Sequence, residues 1–295
     1  MNILITGATG FLGRYLVRYL KEDKHQLFVL GRTKDKLKQY FDDSCTKKAT
    51  NYSYEDLLEK TQGIDVVIHL ASLLMQRDSD PLRVTPFLKN IEMTENLALA
   101  SHANNVKHFI NISSISVYGL CEGVSESDST TPSNIYGVSK ACSDIYLEYL
   151  QKKTQMVITT LRLARLYGIG EREGLMFTNF INKAKEKQLL SIFGDGKSDI
   201  EYLYIEDAVS AITKVINKPQ KGIYNVGNTH KFSVKEMAEV INHVFENEGR
   251  IDYLEGSSAV YGTSMKNTKF MKSFNWEPEY SLLDAIKDIK KKQDE

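Results

Sequence analysis

The sequence predicts an α/β fold: a doubly wound parallel sheet with a smaller C-terminal α/β lobe. Three observations predict it. Short apolar, β-branched runs alternate with stretches of helical spacing through the first two-thirds of the chain, the pattern of β-α-β units joined by right-handed crossovers. The strand-like runs are apolar at successive rather than alternate positions, as strands covered by helices on both faces must be. The first of these runs leads directly into glycines that open a helix.

That opening stretch organises the rest. Asn2-Ile-Leu-Ile-Thr6 reads as a strand, Gly7-Ala-Thr-Gly10-Phe-Leu-Gly13 as a tight turn, and Arg14-Tyr-Leu-Val-Arg-Tyr-Leu20 as a helix. Glycines let backbone approach an anion closely. The helix N-terminus offers free N–H groups and a positive dipole end to a pyrophosphate, and Gly13 lets the helix pack tightly on the strand. This is the Rossmann-type arrangement for a dinucleotide. The next strands are Gln26–Leu30, Ile64–Leu70, Lys107–Ile112 and Val157–Leu163, separated by helices over Asp56–Gln62, Thr85–Asn104 and Asn134–Lys153. After about residue 168 the pattern loosens. Leu175–Lys187 and Asp207–Asn217 read as helices, Leu189–Phe193 and Ile223–Val226 as strands. Ser233 caps a helix reaching Phe245, with Glu236 completing a capping box. Thr268–Phe274 and Ser281–Lys292 are short helices within a chain that ends in a solvated charge run, Lys287–Glu295. The expected division is 1–168 for the dinucleotide-binding domain, with a segment of about 200–227 returning to it, and 169–295 for a lobe that closes over substrate.

Composition narrows the class. Of 295 residues, 42% are hydrophobic and 26% charged, and formal net charge is +0, which gives no reason to expect nucleic acid or an anionic membrane as partner. Runs such as Asp65-Val-Val-Ile-His-Leu-Ala71 are too short to span a bilayer, and a first strand starting at residue 2 leaves no room for a signal peptide. Three scattered cysteines, Cys45, Cys121 and Cys142, form neither a disulfide framework nor zinc spacing, and the six histidines are dispersed. The expectation is a cytoplasmic enzyme without a metal site.

The chemistry-bearing stretch is Tyr136-Gly-Val-Ser-Lys140. Tyr and Lys four apart near a helix start share one face. A tyrosine with its ordinary pKa of about 10 is a poor proton acceptor at neutral pH, and a nearby ammonium lowers that value. Ser114, in Ile112-Ser-Ser-Ile-Ser-Val-Tyr-Gly119, falls at the carboxyl end of its strand, the edge where the glycine turn also lies. Oxidation at an alcohol carbon needs a base on the hydroxyl and a hydride acceptor opposite, which this convergence fits.

On these residues the chain resembles an extended short-chain dehydrogenase/reductase of the NAD-dependent epimerase/dehydratase type, which acts on nucleotide sugars. The matching stretches run nearly end to end: Thr6–Gly13, His69-Leu-Ala-Ser72, Ser113–Gly119, Tyr136–Lys140, Leu161–Gly168, Gly194-Asp-Gly196, Tyr202–Asp207, Tyr224-Asn-Val-Gly227 and Trp276-Glu-Pro278. The resemblance implies that Tyr136 is the acid/base, that Lys140 tunes it and holds the nicotinamide ribose, and that Ser114 orients the substrate oxygen. It implies that Gly7, Thr9, Gly10 and Gly13 hold the pyrophosphate with backbone N–H groups of Phe11 and Leu12. Leu70, Ala71 and Ser72 would line the adenosine and ribose side, with Asn90 near the cofactor. It also implies a four-helix homodimer contact through Thr85–Asn104 and Asn134–Lys153, whose apolar faces equally suit packing on the sheet.

The departures concern cofactor and substrate. The second strand ends Leu30-Gly31-Arg32 where an acidic residue ordinarily binds the ribose hydroxyls of NAD. An arginine there can pair with a 2′-phosphate, so NADP is favoured over NAD. Thr50-Asn51-Tyr52 replaces the acidic residue near adenine. Ile115 and Ser116 replace the acidic pair of 4,6-dehydratases, which argues against that reaction. Asp199-Ile-Glu201 lacks the arginine that holds a substrate diphosphate, leaving Arg165, Arg172 and Lys197 as substitutes. The leading expectation is an NAD(P)-dependent epimerase or oxidoreductase acting on a sugar nucleotide, in the manner of a UDP-sugar 4-epimerase. The alternatives are an NADPH-dependent ketoreductase of a 4-keto sugar or other carbonyl compound, and a non-catalytic dinucleotide-binding protein.

Overall fold

The computed structural model describes residues 1–74, 80–256 and 263–294. In chain order its elements are β1 (Asn2–Thr6), α1 (Phe11–Leu20), β2 (Gln26–Gly31), α2 (Lys34–Tyr40), β3 (Cys45–Ala49), α3 (Tyr54–Lys60), β4 (Val66–His69), α4 (Thr85–Ala103), β5 (His108–Ser114), α5 (Ile135–Lys153), β6 (Val157–Leu163) and β7 (Arg165–Tyr167). There follow α6 (Met176–Lys185), β8 (Leu190–Phe193), β9 (Asp199–Ile200), β10 (Tyr202–Tyr204), α7 (Ile205–Asn217), β11 (Gly222–Val226), β12 (Phe232–Ser233), α8 (Val234–Val244), β13 (Ile251–Leu254), α9 (Thr268–Phe274) and α10 (Leu282–Asp294). The last residue of the expected charge run, Glu295, lies outside the described residues.

Seven strands form one parallel sheet in the order β3-β2-β1-β4-β5-β6-β11. β1 pairs with β2 on one side and β4 on the other, so connections leave it in opposite directions and a crevice opens at the carboxyl ends of β1 and β4. The continuous apolar runs follow from burial on both faces. Ile3 and Ile5 of β1 belong to a core with Leu16, Val17 and Leu20 of α1 and Ala208 and Ile212 of α7. Leu4 between them faces a second core with Val67, Leu97 of α4 and Leu147 of α5. β11 returns to the central sheet beside β6, while β8 and β13 form a separate parallel pair next to α6 and α8. The capping box of α8 is present in both directions: Glu236 N donates to Ser233 Oγ at 3.1 Å and Ser233 N to Glu236 Oε2 at 2.6 Å.

Several elements differ from the sequence reading. α3 starts at Tyr54 rather than Asp56 because Ser53 caps it, accepting from Asp56 N. β5 runs on to Ser114, placing that residue at the strand end itself. α2 and β3 carry too little apolar signal to be read: α2 buries only Leu37, and β3 is an edge strand that buries only Cys45. Among the described residues no helix is long and apolar enough to cross a membrane.

Candidate active site

A cleft of about 1100 Å³ runs along the carboxyl edge of the sheet. Its floor is the turn between β1 and α1. Gly10 N donates to Gly7 O at 2.9 Å to close the turn, and Gly10 caps α1 without a side-chain hydrogen bond. No acidic residue sits in the first turn of α1, so its free N–H groups and dipole remain available to an anion. Two glycines are sterically required. Gly7 has φ +67°, and a Cβ there would lie 2.7 Å from Ala71 N; a Cβ on Gly13 would lie 2.4 Å from Gly7 O.

The opposite wall leaves β4 as Leu70, Ala71 and Ser72. A directional hydrogen-bond chain fixes it. Thr94 Oγ1 donates to Asn90 O (2.9 Å), so it accepts from His69 Nε2 (3.1 Å). His69 Nδ1 is then the acceptor for Thr6 Oγ1 (2.8 Å), which in turn accepts from Ala71 N (3.2 Å). Burial and the Lys140 cation push the His69 pKa down to about 3, so the ring is neutral and serves as a pin joining β1, β4 and α4. Asn90, 3% exposed, accepts from Leu73 N (2.7 Å) and donates to Leu73 O and Ser139 Oγ (both 3.1 Å). It is not among the residues that line the cleft, and it holds the loop after β4.

The third wall carries the reacting groups. Asn134 caps α5, accepting from Gly137 N at 2.8 Å. Gly137 admits a close approach, since a Cβ there would lie 2.3 Å from Ser116 O. The glycine of the Tyr-Gly-Val-Ser-Lys motif thus seats Tyr136 against the end of β5, where Ser114 stands. Lys140 Nζ donates to Ile112 O at 2.8 Å and lies 5.9 Å from the Tyr136 ring centre. Behind it is a buried polar network the sequence reading missed. Arg162 Nε meets Asp144 Oδ2 at 2.9 Å, Ser113 Oγ donates to the same oxygen at 3.0 Å, and Arg162 Nη1 donates to Tyr118 Oη at 2.7 Å. Asp144 lies four residues beyond Lys140 and Arg162 on the next strand, a spacing that in retrospect marks the pair.

Burial governs the acid–base properties. The Tyr136 pKa is pushed up to about 12 by burial, with the Ser72 and Ser114 hydroxyls pulling it back. Burial sets the direction of this shift, and the Lys140 ammonium is directed at the Ile112 carbonyl. Burial also depresses Lys140, to about 8, against the opposing pull of Asp144.

Gly7, Thr9, Gly10, Phe11, Leu12, Gly13, Arg32, Leu70, Ala71, Ser72, Ser114, Tyr136 and Lys140 all line this cleft. At its far end Arg32 is joined by Lys36, which had no motif to mark it, and by Asp56, which accepts from Thr50 Oγ1 at 2.6 Å. Asp199 and Glu201, in the stretch that lacks the diphosphate-binding arginine, do not line the cleft. Ile200 is buried in the core, Asp199 is exposed, and Glu201 turns inward to accept from Met265 N at 2.6 Å. Arg165 lines the cleft; Arg172 and Lys197 do not.

The match to known proteins agrees with this geometry. Residues 3–227 match the NAD dependent epimerase/dehydratase family. The chain belongs to that family. Its members of this extended short-chain dehydrogenase/reductase type are enzymes, and solved relatives hold NAD. The chain is 29% identical over 305 aligned residues to the uncharacterized UDP-glucose epimerase YtcB of Bacillus subtilis, covering 97% of this chain and 96% of that one. It superposes on the UDP-N-acetylglucosamine 4-epimerase of Bacillus cereus with a TM-score of 0.86 at 26% identity, over 98% and 95% of the two chains. The UDP-glucuronic acid 4-epimerase of the same organism, solved with UDP-glucuronic acid and NAD, gives 0.85 at 26% identity over 99% and 100%.

Proposed function

We propose that this enzyme is a 4-epimerase of a UDP-sugar. The observation that carries the reading is the convergence of Tyr136, Lys140 and Ser114 with the glycine turn on one cleft, in a chain that aligns over nearly its whole length with UDP-sugar 4-epimerases. A bound nicotinamide dinucleotide supplies the hydride acceptor and donor. Tyr136 takes the proton of the substrate hydroxyl and returns it, Lys140 supplies the cation beside the nicotinamide ribose, and the glycine turn binds the pyrophosphate. Glu201 turns inward to Met265 N and stays off the cleft lining, and Arg165 stands on that lining as a cation for a substrate diphosphate.

A second reading has its own observation. Arg32 and Lys36 together line the adenosine end, where no acidic residue ends β2, and this favours NADPH and a one-way ketoreductase. Cofactor content tests the pair. An epimerase is expected to purify with tightly held NAD and to interconvert UDP-sugars without added cofactor. A ketoreductase is expected to prefer NADPH and to lose that preference at least tenfold in Arg32→Ala.

A further inference from the structure

Two serine hydroxyls face Tyr136, and they differ in what they have left to give. Ser114 Oγ accepts from Ser116 N (3.1 Å) and donates to Ser116 Oγ (3.1 Å), so its single proton is committed within the turn that follows β5. Ser72 Oγ is buried and has no hydrogen-bond partner of good geometry, although its hydroxyl stands near enough to Tyr136 to favour the phenolate. A buried hydroxyl left unpaired in a native structure asks for an explanation. Here it lines the same cleft as Tyr136.

The position of Ser72 is held rather than incidental. Asn90 grips the backbone of the next residue by both its N–H and its carbonyl. The same amide donates to Ser139 Oγ, which donates to the Tyr136 carbonyl at 2.8 Å. One side chain therefore ties the loop bearing Ser72 to the helix turn bearing Tyr136. Gly7 packs against the backbone of Leu70 and Ala71, which restrains the same loop from the other side.

We propose that Ser72 is a second catalytic hydroxyl, whose Oγ–H donates to the phenolate oxygen of Tyr136 and so holds the form that takes the substrate proton. Ser114 is left to accept from Tyr136 or from substrate without giving up its bond to Ser116. Asn90 is the positioning residue. The inference rests on the reading of Tyr136 as the acid/base, and its test does not require turnover.

The experiment places 3,5-difluorotyrosine, a more acidic phenol, at position 136 of the full chain with NAD present, and follows its ionisation by 19F NMR. The expected result is a midpoint about one pH unit higher in Ser72→Ala, restored in Ser72→Thr, with a smaller shift in Ser114→Ala. Asn90→Ala is expected to raise the midpoint in the same direction. An unchanged midpoint in Ser72→Ala, or a larger shift in Ser114→Ala, overturns the assignment. A shifted midpoint in an enzyme that epimerises no UDP-sugar leaves the Ser72 contact standing and removes the functional reading instead.

Discussion

Tyr136 and Lys140 lie one helical turn apart, yet burial drives their proton affinities apart, the phenol up to about 12 and the ammonium down to about 8. The resting pair is thus a neutral phenol beside a readily lost cation. Tyr136→Phe is expected to reduce turnover by roughly 10²–10⁴-fold while dinucleotide binding, read by fluorescence quenching, is retained. Asp144 is the carboxylate that keeps Lys140 from falling further. Asp144→Asn is expected to move the alkaline limb of the pH–rate profile to lower pH. It would also leave Arg162, 4% exposed, without its charge partner, at a cost of about 3–5 kcal/mol in denaturant unfolding. A destabilised variant with an unmoved limb would confine Asp144 to a structural role.

At the level of elements, the turn between β1 and α1 was legible because sterics allow few alternatives. Gly13→Ala would bring a Cβ to within 2.4 Å of Gly7 O and 2.6 Å of Ala8 O. The expected outcome is a lower melting temperature and at least tenfold weaker dinucleotide binding by calorimetry. The Tyr-Gly-Val-Ser-Lys helix was equally legible, and its glycine, at which a Cβ would lie 2.3 Å from Ser116 O, gains a role only the structure reveals. α2 and β3 were not legible because one buried residue each leaves no period to detect. The fates of Glu201 and Asn90 were hidden for another reason: a sequence gives their chemistry but not their direction. One turns to Met265 and the other to Leu73 and Ser139, and neither meets the cleft.

Across the whole molecule, burial traps ionisable groups of both signs, His69 in the central sheet and Glu201 between β9 and β10, and their contributions to stability oppose one another. His69 is held neutral with its pKa at about 3. The unfolded chain takes up that proton below about pH 6.5, so the folded state loses stability as pH falls toward 3, by about 1.4 kcal/mol for each unit at the steepest. Glu201 has the opposite sign. Its folded pKa is raised to about 7 by burial, so its contribution is full below about pH 4.5 and is lost as pH rises through 7. Urea unfolding over pH 4–8 is expected to show Glu201→Gln gaining on the wild type as pH rises to 7 and levelling off above it. His69→Asn is expected to gain on the wild type as pH falls below 6.5. Parallel curves for either variant would contradict the burial that sets its pKa.

The measurement closest to the central claim is incubation of the purified enzyme, without added cofactor, with UDP-glucose, UDP-N-acetylglucosamine and UDP-glucuronic acid, followed by 1H NMR of the anomeric and C4 protons. The account predicts inversion at C4 of at least one of them, retained in Arg32→Ala and slowed roughly 10²–10⁴-fold in Tyr136→Phe. Absence of inversion in all three, with free NADPH consumed against a keto sugar, would contradict it.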